Sequence, residues 1–161
     1  MQKITPCLWS DSNAEEAVEF YVSIFKNSRI KKVARYREAG AKASGRATGS
    51  VMIISVQLER QDFLALNGGP LFTFSPAISL MVNCKTQKEI DELWKKLSAD
   101  TDAEQCGWLK DKFGVSTQIV PAIIGKMVAD EDAKRANRVM QAVLQMKKLD
   151  IKTLEKAYQG G

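Results

Sequence analysis

The stretch ITPCLWSDSNAEEAVEFYVSIF, residues 4–25, contains the pattern of a strand followed by that of a helix. Ile4–Trp9 is rich in strand-forming residues, and Pro6 favours an edge strand or a bulge. Asn13 is a favourable N-cap residue with Glu16 three positions later, the spacing of a capping box. An apolar stripe with helical spacing follows: Ala14, Ala17, Val18, Tyr21, Ile24 and Phe25.

The same order of elements returns in the second half of the chain. A shift of 73 residues places Ile4 on Ala77 and Asn13 on Thr86, and both predicted helices stay in register. Thr86 has Glu89 three positions later, so this helix also begins with a capping pattern. The repeat predicts an internal duplication of a unit that contains one helix and several strands.

The remaining elements are predicted from alternation and turn residues. Residues 38–49 are rich in alanine and glycine and are predicted to form a mobile loop. Strands are predicted at 29–37, 50–60 and 62–67 in the first half, and at 77–84, near 103–108 and at 115–120 in the second.

We therefore predict an α+β protein with two βαβββ modules, residues 1–70 and 77–121, that form a half-closed barrel. Residues 122–161 are predicted to be a helical extension in which Asp130 or Asp132, and later Asp150, begin helices. The extension is expected to wrap the modules or to build a dimer contact. Together these parts are expected to make one structural domain.

Composition narrows the classes of function. The chain has 161 residues, of which 45% are apolar and 27% charged, as in a globular protein. Its longest apolar runs are far below the ~20 residues that a membrane helix needs, and the first residues lack the apolar core of a secretory signal. We expect a cytoplasmic protein that does not contact membranes.

Histidine is absent from the sequence. Its absence excludes Ser-His-Asp triads, Cys-His pairs and imidazole metal ligands. The cysteines, Cys7, Cys84 and Cys106, are odd in number and widely spaced, which favours free thiols over a disulfide.

Basic residues concentrate in KNSRIKKVARYR, residues 26–37, which contains no acidic residue. The segment is typical of a solvated strand. Two alternatives are a positive lining for an anionic ligand and contact with nucleic acid. The second would need a larger basic surface interleaved with aromatic residues, so we predict no nucleic-acid partner.

Several segments together resemble one known family. They are the opening stretch, FLALNGGPLFTFSPAISLMVNC, EIDELWKKLS, QCGWLKDKFGVSTQIVP and RVMQAVLQMKKLDI. They are similar to the PhnB-like branch of the vicinal oxygen chelate superfamily, which holds glyoxalases and bleomycin-resistance proteins. That branch often carries the name 3-demethylubiquinone-9 3-methyltransferase. The resemblance implies paired modules with a concave sheet face, and homodimers are common in the superfamily.

The resemblance also implies where a metal ion would lie. The superfamily's metalloenzymes take ligands from the first and last strands of each half, which correspond here to positions near Pro6, Asn67, Ala77 and Gln118. Proline and alanine side chains bind no metal, and two neutral amides carry no charge. PhnB-like relatives often have histidine after NGGP, where this chain has Leu71. No metal and no other cofactor is predicted.

The concave face is then the candidate site. Its predicted ligand-binding residues are Trp9, Asn67, Ser79, Trp108 and Gln118, with Cys7, Leu66, Met81 and Cys106 as further candidates for its lining. No catalytic residue is assigned. Aromatic and amide side chains in a cavity favour a metal-free small-molecule binding protein.

Two other functions stay open. One is an enzyme, either a methyltransferase as the family name says or a lyase or isomerase. The sequence shows no Gly-rich turn between a strand and a helix for a methyl donor. The other is a dimeric structural or interaction module without a ligand.

Overall fold

Strands and helices form two units along the chain. The structure is a computed structural model and describes residues 2–161. The first unit ends at Phe74, and the second comprises Ser75–Gly161. The first has a four-stranded sheet and the second a three-stranded sheet, each with helices. The predicted fold class, α+β with two modules followed by helices, is confirmed; that the units make one domain stays a prediction.

The first unit contains four strands and two helices. In chain order they are β1 (Cys7–Ser10), α1 (Ala14–Ile24), β2 (Arg29–Arg35), α2 (Glu38–Ser44), β3 (Val51–Leu58) and β4 (Gln61–Asn67). The strand order is β1-β4-β3-β2, with β1 parallel to β4 and the other pairs antiparallel. Ile54, Val56, Phe63 and Ala65 are buried on the face that packs against α1. The alternate residues form the opposite, open face.

Helix α1 is capped by a residue far away in the sequence. The predicted cap, Asn13, makes no side-chain capping bond. Instead, Asn67 Oδ1 at the end of β4 accepts a hydrogen bond of 2.8 Å from the backbone N–H of Ala14. Asn13 therefore occupies the N-cap position as predicted, but the side chain that accepts the capping hydrogen bond belongs to Asn67 on the strand beside the helix. In the second unit, Thr86 accepts from the N–H of Glu89, as predicted.

The predicted loop at 38–49 contains helix α2. This prediction was wrong because the segment's alanines are strong helix formers, and Gly45, at φ 69°, ends the helix in the left-handed conformation. The backbone N–H groups of Tyr36 and Gly49 then close the connection by donating to Ser50 and Tyr36. The preceding strand accordingly ends at Arg35 and not at Arg37.

The second unit begins with a smaller version of the same arrangement. Its elements are β5 (Leu80–Cys84), α3 (Gln87–Leu97), a 3-10 turn (Thr101–Ala103), β6 (Trp108–Lys110), β7 (Ser116–Pro121), α4 (Ile124–Val128), α5 (Ala133–Leu144) and α6 (Ile151–Gln159). The strand order is β5-β7-β6, with β5 parallel to β7. The module therefore has three strands where the βαβββ pattern has four, and β5 begins at Leu80 instead of Ala77.

The internal repeat has two offsets. Helices α1 and α3 are related by the predicted 73 residues. In the sheets, Leu8 pairs with the buried Ala65 and Val82 pairs with the buried Ile119, so Leu8 corresponds to Val82, and strands β1 and β5 are related by 74 residues. The connection from strand to helix is one residue shorter in the second unit, residues 85–86 against 11–13. Since one residue reverses the face of a strand, the 73-residue shift equates residues on opposite faces.

The C-terminal helices complete the core of the second unit. Their buried residues cluster with Val120 of β7: Met127, Val139, Val143, Leu149 and Leu154. The backbone N–H groups of Cys106 and Gly107 donate to the carbonyls of Met146 and Lys147 at 2.8 and 2.7 Å. The caps predicted for α5 and α6 are confirmed, with Asp132 and Asp150 as acceptors.

Candidate functional site

Three side chains lie in register on the face of the second sheet that is opposite to α3, beside the end at Val120 that the C-terminal helices cover. Gln118 on the central strand pairs with Met81 on one side and Trp108 on the other. Their neighbours Leu109, Thr117 and Ile119 are buried on the opposite face, the side of α3. Met81 is 58% exposed, and Gln118 and Trp108 are half-buried. We call Met81, Gln118 and Trp108 the Gln118 row.

A fourth residue orients the amide of Gln118. Its Nε2 donates a hydrogen bond of 2.8 Å to Oγ of Ser79, which directly precedes β5. Within residues 2–161, no donor is bonded to Oε1 of Gln118. The structure thus brings together three of the predicted ligand-binding residues, Ser79, Trp108 and Gln118, and leaves one amide oxygen as an acceptor between a thioether and an indole.

The donor set of this row does not fit a divalent metal ion. The row offers a neutral amide and a thioether, and the neighbouring Ser79 adds a hydroxyl, whereas such ions prefer carboxylate, imidazole or thiolate. Asp111, in the turn before β7, is 3% exposed, and its Oδ1 accepts from the N–H groups of Phe113 and Val115. Throughout residues 2–161, no three Asp, Glu or Cys side chains are grouped as metal ligands would be.

Trp9 lies in the first unit and is held at the end of its sheet. Its indole Nε1 donates to the carbonyl of Gly69 at 2.8 Å, and its ring meets Phe72 edge to face with centroids 5.0 Å apart. Across the open face, Trp9 pairs with Leu66 and Leu66 with Ile53. Trp9 therefore contributes an aromatic surface at one edge of that sheet.

Asn67, the fifth predicted residue, is buried and fully engaged by the first unit. Besides the bond to Ala14, its Nδ2 donates to Glu15 Oε2 at 2.7 Å and to the carbonyl of Val51 at 3.0 Å. The hydroxyl of Tyr36 donates to its carbonyl at 2.7 Å. These bonds join α1, β3 and β4, so the side chain supports the fold, and its contact with a ligand stays a prediction.

An open cleft of about 620 Å³ lies beside the NGGPL segment. Its lining residues are Asp11, Ser44, Gly45, Arg46, Gly68, Gly69, Pro70 and Leu71. The Arg46 guanidinium is bound to the carbonyl and the carboxylate of Asp11 at 2.5 and 2.7 Å. Sequence reasoning missed this cleft, because nothing in the sequence pairs Arg46 with Asp11. Leu71, in the position where relatives often have histidine, is 73% exposed.

The thiols differ in reactivity. Burial raises the pKa of Cys84 to about 12, and the carboxylate of Glu89 adds to the shift. Partial desolvation raises the pKa of the Cys7 thiol, although the residue is exposed. Both thiols are therefore protonated at neutral pH, and Cys7 is the one that reagents reach.

The class defined by these features is an α+β protein of two related modules, each with an open sheet face. The sequence pattern of the 3-demethylubiquinone-9 3-methyltransferase family matches residues 2–120. The chain belongs to that family, the PhnB-like group that it was predicted to resemble.

Solved structures agree with this assignment. The PhnB protein from Bacillus cereus is 38% identical, with a TM-score of 0.65, and the match covers 75% of this chain and 100% of that one. A Pseudomonas aeruginosa protein is 16% identical over 73% of this chain and 95% of its own, with a TM-score of 0.52, and shows the fold alone. None of the curated proteins compared matches the chain. Among residues 2–161, every helix is too short or too polar to cross a bilayer.

Proposed function

We propose that the protein is a metal-free binding protein for an organic small molecule that contacts the Gln118 row. The supporting observation is the in-register placement of Met81, Gln118 and Trp108, with Ser79 holding one side of the amide. Ligand sites commonly combine apolar and aromatic walls with a few placed polar groups. The row supplies each of these on an open face.

The chemistry of the row selects a flat, apolar ligand with one hydrogen-bond donor. The indole of Trp108 and the thioether of Met81 favour an aromatic body, since sulfur and indole both contact rings favourably. Oε1 of Gln118 accepts a bond from a hydroxyl or N–H on that body. Such a bond contributes about 0.5–1.5 kcal/mol, or about two- to tenfold in affinity.

A pair of probes tests the donor requirement. 2-Naphthol carries a hydroxyl donor, and 2-methoxynaphthalene has the same ring system without one. Titration followed by tryptophan fluorescence is expected to show naphthol binding about five-fold tighter, a ratio within the range for one neutral hydrogen bond. In Gln118→Leu, which removes the acceptor at similar size, the ratio should fall to about one.

The matched control is Gln141→Leu on the exposed part of α5, which makes the same change away from the sheet. This variant should retain the preference for naphthol. Equal affinities for the two probes in the unchanged protein, or a preference that persists in Gln118→Leu, would remove the assigned role of the row.

Methyl transfer is the alternative named by the family. A methyl donor such as S-adenosylmethionine usually needs a glycine-rich turn between a parallel strand and a helix. The strand-to-helix connections here, residues 11–13 and 85–86, are DSN and KT. These residues do not fit the donor. Calorimetric titration with S-adenosylmethionine is expected to show no saturable heat. Saturable binding of one molecule per chain would support the methyltransferase function instead.

We also propose a homodimer. Its support is the pair Met140 and Leu144, which are 42% and 54% exposed and lie one turn apart on α5. Apolar side chains at this spacing form a surface that a second helix can cover. Light scattering at micromolar concentration should give twice the mass of one chain, and Leu144→Lys should shift it toward the monomer.

A further inference from the structure

A β-bulge in the first sheet changes where its basic residues point. The pairing of β2 with β3 shifts between Ile30, which pairs with Val56, and Lys32, which pairs with Ser55. Lys31 is the extra residue, and a bulge of this kind breaks the alternation of faces. Lys31 Nζ reaches the carboxylate of Asp62 at 2.9 and 3.0 Å.

The side chains of Lys31 and Lys32 therefore both lie on the open face. Asp62 lies two positions before Leu64 on β4, so their side chains share a face. Leu64 pairs with Ser55, which in turn pairs with Lys32. Strict alternation would have placed Lys31 and Lys32 on opposite faces. Their placement together follows from the bulge.

The rest of this face is largely apolar. Two rows of paired residues cross the four strands, and they are Trp9–Leu66–Ile53–Ala34 and Cys7–Leu64–Ser55–Lys32. All except Cys7 and Lys32 are half-buried, in contrast to the fully buried residues that face α1. At about 4.8 Å between strands, the rows are about 14 Å long.

The two lysines differ in charge compensation. Lys31 is paired with Asp62, whose pKa is lowered chiefly by that hydrogen bond. Lys32 makes no ion pair with any of residues 2–161. Among the described residues of the face, Lys32 thus supplies an ammonium group without an ion pair at the β2 edge, and Trp9 supplies an aromatic ring near the β1 edge.

We propose that this open face of the first unit is a separate binding site for an amphipathic carboxylate. The carboxylate pairs with Lys32, and the apolar chain lies along Leu64 and Leu66 toward Trp9. The site uses no residue of the Gln118 row, so it stands whether or not that row binds a ligand.

Decanoate, used below its micellar concentration, is the probe, and Cys7 is a built-in reporter at the far end of the Lys32 row. Decanoate should slow alkylation of Cys7 by iodoacetamide in a saturable way, measured by peptide mass spectrometry, while calorimetry gives the Kd. Lys32→Gln should raise the Kd about three- to fivefold, as expected for a partly exposed ion pair. Lys32→Arg should restore the affinity.

Three controls test whether decanoate binds at this face and through Lys32. Lys42→Gln makes the same charge change on α2, outside the strands that form the face, and should leave the Kd unchanged. Decyltrimethylammonium, with the opposite charge, should bind the unchanged protein more weakly than decanoate. Gln118→Leu should leave decanoate binding intact, which distinguishes failure of this site from failure of the Gln118 row.

Specific results would overturn the proposal. Equal binding of the anionic and cationic probes, or equal losses in Lys32→Gln and Lys42→Gln, would show that Lys32 does not select the ligand. Loss of decanoate binding in Gln118→Leu would show that the sites are not separate. Protection of Cys7 that rises with protein concentration alone would place a second copy of the chain on this face.

Discussion

Gly68 has no space for a side chain, and this gives the sharpest stability prediction. A Cβ there would lie 2.3 Å from Cζ2 of Trp9 and 2.5 Å from Cε2 and Cη2. The indole cannot turn away without breaking its 2.8 Å bond to Gly69 and its contact with Phe72. Overpacking costs about 1–3 kcal/mol, and the lost hydrogen bond adds about 1 kcal/mol. We expect Gly68→Ala to destabilise the first unit by about 2–4 kcal/mol.

Urea unfolding followed by circular dichroism and tryptophan fluorescence measures this loss. Gly125→Ala is the matched control, because Gly125 lies in helix α4 and a Cβ added there meets no atom within 4 Å apart from its chain neighbours and the backbone of its own helix. That variant should gain about 0.5–1 kcal/mol, since alanine is the better helix former. The two glycine-to-alanine changes are thus predicted to have opposite signs.

The clash itself can be isolated by a double-mutant cycle. In the Trp9→Leu background the large ring is gone, so Gly68→Ala should cost less than about 1 kcal/mol, below the usual range for overpacking. If the alanine costs as much there as in the unchanged protein, the indole is not the cause. A loss below about 0.5 kcal/mol in the unchanged protein would equally refute the steric argument, since it is the size of an ordinary surface change.

Three further predictions concern the polar groups. Asn67→Ala leaves the N–H of Ala14 and other buried groups without partners and should cost about 3–5 kcal/mol in urea unfolding. Asp150→Ala removes the α6 cap and should cost about 1 kcal/mol of unfolding free energy. Since hydrogen bonds to Thr153 lower the pKa of Asp150, the stability that Asp150 contributes is present above the ordinary aspartate pKa and is lost as pH falls through the lowered value. The stability of the variant should therefore depend less on pH in the acid range. The pKa of Cys84 is raised to about 12 in the folded protein, so the stability linked to its protonated thiol is present below the thiol pKa of the unfolded chain and is lost as pH rises toward 12. In Cys84→Ala, urea unfolding should show a smaller loss of stability at alkaline pH.

The helices were predictable because their signals are local. Helices α1 and α3 have apolar stripes with helical spacing, and the Thr86, Asp132 and Asp150 caps each lie within a few residues of the groups they bind. The position of the α1 N-cap, Asn13, was predicted for the same reason, but the side chain that makes the capping bond there was not. Asn67, which makes that bond, becomes a neighbour of α1 only after β4 pairs with β1, and no local pattern carries that information.

Most residues of the candidate site could be predicted from the sequence, but the strand pairing that aligns them could not. Ser79, Trp108 and Gln118 were expected on one concave face from the resemblance to the family, whereas the hydrogen bond from Gln118 to Ser79 and the alignment of Gln118 with Trp108 follow from the pairing of β5, β6 and β7. The faces on which Lys31 and Lys32 of β2 lie could not be predicted either. A bulge depends on how β2 pairs with β3, so strict alternation of faces along the sequence would assign one of the two lysines to the wrong face.

The anchoring of the C-terminal segment has a consequence for synthesis of the protein. Every strand of the first sheet has been synthesised once β4 is made, so that unit can begin to fold before the second unit is complete. The second unit must wait, because the core around Val120 is closed by Leu154 and because Met146 supplies a carbonyl to Cys106. During that interval β7 lacks the helices that cover its end, and the nascent chain is most exposed to aggregation.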